Sequence, residues 1–92
     1  MKSFITVIGN DTVGIIASIA NILADRNVNI LDINQTVMDE IFTMIMMVET
    51  AELKGSFSEL SEKLTEYGKE AGLSVRIQRE EIFNSMHRIS FM

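Results

Sequence analysis

The first apolar block, Phe4-Ile5-Thr6-Val7-Ile8, is a β-branched and aromatic run closed by Gly9, and it predicts a strand that is apolar on both faces. From about Thr12 to Arg26 the period changes. Ile16, Ile19, Ala20 and Leu23 follow the i, i+3, i+4, i+7 spacing of one helix face, with Asn10 or Asp11 placed to cap it. Between Ile30 and Met38 the pattern alternates. Leu31, Ile33 and Val37 fall on one side and Asp32, Asn34 and Thr36 on the other, with Gln35 the polar exception on the apolar side. Asp39-Glu40 separates this strand from Ile41 to Val48, which is apolar on both faces, and an antiparallel hairpin follows although the turn lacks glycine.

Ser56-Phe57-Ser58-Glu59 has the form of a capping box, and Phe57, Leu60, Leu64, Tyr67 and Ala71 continue a helical stripe that ends near Gly72. Leu73, Val75 and Ile77 then alternate with Ser74, Arg76 and Gln78 as a last strand. Beyond it, Ile82, Phe83 and Met86 predict a short helix in a tail of about residues 80–92. The order strand, helix, strand, strand, helix, strand predicts an α+β fold, the ferredoxin-like βαββαβ sandwich: an antiparallel four-stranded sheet with two helices on one face, plus a short C-terminal helix. In that topology the first and third strands are central, and those are the two that are apolar on both faces. The sheet face away from the helices therefore carries Phe4, Ile8, Ile41, Ile45 and Met47, a surface that either the tail or another subunit must cover.

The chain of 92 residues is a single domain spanning 1–92, and its composition, 47% hydrophobic and 23% charged with no proline, is that of an ordered globule. Thirteen acidic and eight scattered basic residues give a net charge of −5, which argues against direct nucleic-acid binding. Cysteine is absent, so disulfides, thiol catalysis and thiolate metal sites are all excluded. No secretion signal and no membrane-spanning run is present, and a cytoplasmic location is expected.

Candidate chemistry concentrates at Gly9 to Ile15, where a strand turns sharply into a helix. Such a junction presents unpaired backbone N–H groups that favour a carboxylate, while Asp11 or Asn10 suits an ammonium. The same residues also read as a plain turn, with Gly9 ending the strand, Asp11 capping, and Gly14 letting the helix approach the sheet. Asn29-Ile30-Leu31-Asp32 opens an edge strand whose unpaired backbone groups could be satisfied by a second copy, bringing Asn29 and Asp32 near a neighbour's loop. Gln35 reads as a satisfied buried amide or an interface residue. Met44, Met46 and Met47 read as core or interface packing, and Glu80-Glu81 as a solvated helix start. His87 has no carboxylate cluster at ligand spacing, and no serine, lysine or carboxylate pair is placed as an activated nucleophile. Neither an enzyme, nor a metal, nor a cofactor is expected.

Three motifs taken together resemble the ACT domain: T-V-x-G-x-D-x-x-G-I at Thr6 to Ile15, N-I-x-D-I-x-Q-T at Asn29 to Thr36, and D-E-x-F-x-M at Asp39 to Met44. The resemblance covers almost the whole chain and is strongest to the small stand-alone prokaryotic type; glycine-cleavage repressor proteins carry a similar amino-terminal pattern. It implies a regulatory module that binds a small effector, usually an amino acid, between the first loop of one domain and the second strand of another. Carried over by position, the contacts would be Asn10, Asp11, Val13, Gly14 and Ile15 in the loop and Asn29, Ile30 and Asp32 in the strand. A homodimer is expected, with a tetramer of such dimers as the alternative, acting on a separate regulated protein. The rival reading is a ligand-free interaction module on the same surface. Acylphosphatases share this topology but need an arginine in the first loop, and metal chaperones need paired cysteines there; this chain has neither.

Overall fold

A computed structural model of the protein describes residues 1–84. The elements are β1 (Lys2–Asn10), α1 (Ile15–Asp25), β2 (Asn29–Met38), β3 (Ile41–Glu49), α2 (Phe57–Ala71) and β4 (Leu73–Arg79). The strands form one sheet in the order β2-β3-β1-β4, with every neighbouring pair antiparallel. This is the ferredoxin-like arrangement that the apolar patterning predicts. Ile5 and Val7 of β1, four residues of β3 (Phe42, Met44, Met46, Val48), and Leu73, Val75 and Ile77 of β4 point to the helix side. There they bury against Ile15, Ile19 and Leu23 of α1 and Leu60 and Leu64 of α2. Met44 and Met46 are core packing residues, fully enclosed.

Local chemistry sets the element ends. The Ser56 hydroxyl accepts a hydrogen bond from the Glu59 N–H at 3.0 Å, so α2 has its predicted N-cap, and the Glu59 carboxylate meets Arg26 Nη1 at 3.3 Å. Gly72, at φ 73°, closes the same helix. Gly68 sits inside α2 where the helix touches β4: a Cβ there would lie 2.7 Å from the Leu73 carbonyl oxygen and 3.0 Å from Val75 Cγ2. The β2–β3 connection is a two-residue turn as expected. Asp39 supplies the left-handed conformation itself, at φ 57°, because a short polar side chain tolerates that region when glycine is missing.

The first helix begins differently from its prediction. Neither Asn10 nor Asp11 caps α1: β1 continues through Gly9 to Asn10, and the Asp11 N–H donates to the Glu40 carbonyl at 3.0 Å. The N-cap position falls to Gly14, at φ 87°, with no side-chain cap bond. Nothing lies within 4 Å of where a Gly14 Cβ would be, so this glycine serves the backbone turn and not a close approach of helix to sheet.

The edge strand corrects one of the two readings of Gln35, that of a satisfied buried amide. Gln35 pairs in register with Met44 on the helix side, yet it is exposed rather than buried, because the helices stop short of β2 and every residue from Leu31 to Met38 is exposed. A bulge between Ile30 and Asp32 interrupts the β2–β3 ladder at Leu31. The opposite, open face of the sheet carries Phe4, Ile8, Ile41, Ile45 and Met47 as predicted, and Ile8, Ile41 and Ile45 remain 51%, 54% and 37% exposed. Residues 80–84 are helical, and Phe83 stacks on Phe4 with ring centroids 4.3 Å apart and an 18° interplanar angle. Met86 and His87, singled out in the sequence, lie outside the described residues.

Candidate functional site

The predicted site residues form two groups. Asn10, Asp11, Val13, Gly14 and Ile15 belong to the junction between β1 and α1, where the first four are exposed and Val13 is entirely so, while the Ile15 side chain is buried in the core. Ile15 can therefore offer a ligand only its backbone. An α-helix leaves its first N–H groups without intrahelical acceptors, and α1 begins with no side-chain cap and no acidic residue in its first turn. The Gly14 carbonyl accepts from Ser18 N–H at 2.9 Å, the first intrahelical bond of α1. An anion is the natural complement.

The second group, Asn29, Ile30 and Asp32, opens β2. Asn29 is exposed, Ile30 is half-buried against the core, and the Asp32 carboxylate accepts from the N–H of Ile33 at 2.9 Å. Asn29 also lines an open depression of 460 Å³ with Ala24, Asn27, Val28, Glu49 and Glu52. Glu49 and Glu52 were not singled out in the sequence; only the folded chain, through the pairing of Asn29 with Glu49, brings them beside the strand start. The Met1 ammonium, through its hydrogen bond to the Glu49 carboxylate, holds that carboxyl below its ordinary value.

Within one chain the two groups do not meet. The sheet registers Asn10 with Ile41 and Ile41 with Met38, which places the loop at the finishing end of β2, whereas Asn29 pairs with Glu49 and Glu49 with Lys2 at the other end. Nine residue steps separate the ends of β2, roughly 30 Å in an extended strand. A second groove of 310 Å³ between the helices, lined by Ser18, Asn21, Ile22, Lys63, Glu66, Tyr67 and Glu70, coincides with neither group. Among the described residues no cluster of histidine, cysteine, aspartate or glutamate has metal-site geometry, and no helix is long and apolar enough to cross a membrane.

Sheet order and helix placement define a ferredoxin-like α+β module. A family model described as "ACT domain" matches residues 4–78. The chain belongs to the ACT domain family. It is 53% identical over 89 residues to a UPF0237 protein of Clostridium acetobutylicum, a match that spans 97% of this chain and 100% of that relative. Among solved structures it resembles an ACT domain protein from Streptococcus pneumoniae, at 38% identity and a TM-score of 0.77 over 90% of this chain and 93% of the other. It also resembles the regulatory subunit of aspartate kinase from Thermus thermophilus, at 27% identity and a TM-score of 0.65 over 86% of this chain and 51% of that one. The ACT domain is typically a regulatory, amino-acid-binding module and not a catalytic one.

Proposed function

We propose that two copies of this chain bind a free amino acid between them and that the liganded dimer regulates a separate protein in the cytoplasm. The observation that carries this reading is the start of α1 at Gly14, which has no side-chain cap and a glycine in the left-handed conformation at the turn. The leading N–H groups of α1 would hold the effector carboxylate. Its ammonium would be held by Asp11 of the same loop and by Asn29 and Asp32 of the second copy, with Val13 and Ile30 against its side chain.

The unpaired edge of β2 supports the assembly. Antiparallel pairing of β2 with a second β2 about its midpoint, near Ile33 and Asn34, would set Asn29 of one copy beside the partner's Met38, the row that leads through Ile41 to the loop at Asn10. Two groups that stand apart within one chain would thus come together across the pair. The exposed Ile33 and Val37 would be covered at the same time.

An effector that touches both copies stabilises the dimer by mass action, by about 2.7 kcal/mol at a ligand concentration one hundred times Kd. Thermal unfolding of the purified protein with each common amino acid at millimolar concentration tests the proposal. One of them is expected to raise the midpoint and to increase the dimer fraction in sedimentation velocity. If none does either, amino-acid sensing is refuted, and the exposed apolar residues of β2 then favour a ligand-free docking module.

A further inference from the structure

The helix side of the molecule carries a groove that the proposed site does not use. α1 contacts β2 and α2 contacts β4, at opposite edges of the sheet, so the two helices stand over different halves of it and touch each other little. Between them lies the groove of 310 Å³, floored by the half-buried side chains of Ile22 and Tyr67. Its two walls differ in charge. Ser18 and Asn21 belong to a helix with no charged side chain from Ile15 to Ala24, although Ala17, Asn21 and Ala24 are exposed. A helix that stays uncharged on its outer side is one suited to being covered. The α2 wall carries Glu66 and Glu70, four residues apart, a spacing at which like charges repel and weaken a helix. Among the described residues neither carboxylate forms an ion pair or a side-chain hydrogen bond, and the same is true of Asn21 and the Tyr67 hydroxyl. Lys63 is the one basic side chain in the lining.

We propose that this groove docks an amphipathic helix of a separate protein, with the partner's apolar side on Ile22 and Tyr67 and two arginine or lysine residues, one turn apart, on Glu66 and Glu70. Charge complementarity selects that partner. Its cations relieve a repulsion already present in α2, whereas an acidic or neutral helix would cover two carboxylates and leave them unpaired. The small neutral side chains of α1 let a third helix approach to an ordinary packing distance of about 8–10 Å. The groove lies over the middle of the sheet, so pairing along the outer edge of β2 leaves it open. Ser18 in its wall stands one turn from Gly14, whose carbonyl it bonds, and α1 is therefore common to the groove and to the candidate effector loop. The docking itself requires no effector, and its test contains none.

The probe is a fluorescein-labelled amphipathic helical peptide with leucines along one side and two arginines four residues apart beside them; the control peptide has glutamates in place of the arginines. Titrated into the isotopically labelled full chain, the arginine peptide is expected to bind saturably and to shift the amide resonances of Ser18, Asn21, Ile22, Tyr67 and Glu70, and the control to shift none of them. Glu66→Gln with Glu70→Gln removes the wall charge while easing the repulsion within α2, so the fold is kept, and it should weaken binding about tenfold. Glu80→Gln with Glu81→Gln makes the same change in net charge away from the groove and should leave binding unchanged. Equal weakening by the two double variants would reduce the attraction to a general effect of the chain's net charge of −5 and overturn the proposal. Shifts confined to β2 around Ile33 and Val37, or no saturable binding, would overturn it as well.

Discussion

Gly68→Ala opposes two effects of known size. In the interior of a helix, alanine is favoured over glycine by about 1 kcal/mol. At this position, however, the new methyl would sit 2.7 Å from the Leu73 carbonyl oxygen and 3.0 Å from Val75 Cγ2. The first obstacle is backbone, held in the β4 ladder by the pairing of Leu73 with Gly9, so no rotamer change relieves it. Overpacking of this kind costs typically 1–3 kcal/mol, about twice the propensity gain at its midpoint. A net loss of about 1 kcal/mol is expected, and in a domain of this size each kcal/mol moves Tm by roughly 4–8 °C. Thermal unfolding followed by circular dichroism at 222 nm, with urea titration to check that the m-value is unchanged, reads the effect directly. A Tm equal to or above that of the parent chain would show that α2 slides freely over β4, and the close approach at Gly68 would not be a constraint.

Ser56→Ala removes the acceptor for the Glu59 N–H and should cost about 1 kcal/mol in urea unfolding, since the cap is exposed and otherwise replaced by water. Gly14→Ala meets no steric obstacle but forces an L-residue to φ 87°, so a loss of about 1–2 kcal/mol with unchanged far-ultraviolet dichroism is expected; the absence of any loss would place the turn in another conformation. The Glu49 carboxyl is held below its ordinary value near 4.5 by its hydrogen bond to the Met1 ammonium. Its folded pKa being depressed, the contribution is present above the unfolded value and is lost as pH falls through the folded one. Glu49→Gln should therefore be less stable than the parent near neutrality, with the gap closing in the acid limb of a stability-against-pH curve; a gap that persists below both values would assign the loss to something other than this charge.

The topology could be read from periodicity because burial acts on every residue of a strand or helix, so Phe4 to Ile8, Ile41 to Val48 and the Leu60–Leu64 stripe each carry several independent votes. Single-residue features that depend on distant partners could not be read. Asp11 has the chemistry of a cap, but its own N–H is engaged by Glu40 across the sheet end, and no local pattern announces that bond. Gln35 follows the alternation of a half-buried strand; whether a helix extends far enough to cover it is a matter of tertiary reach. Gly68 is similar, an unremarked position in a helical stripe whose meaning comes from β4. Asp39 illustrates the opposite case, in which the missing glycine suggested an insecure turn although aspartate could take its place. The two groups of candidate site residues came from the family resemblance, while their separation to opposite ends of β2 required the sheet register.

The bulge at Leu31 has a consequence for how β2 is seated. A strand wet on both sides has little burial energy to tell one alignment from its neighbour, and a slip by a single residue would exchange the positions of Asp32 and Ile33. An extra residue anchored at one spot, locked by the Asp32 carboxylate on the adjoining amide, acts as a vernier mark: moving the strand would mean migrating the kink along the ladder. What any molecule alongside this border encounters is thereby set by a defect in the pleat and not by grease beneath it.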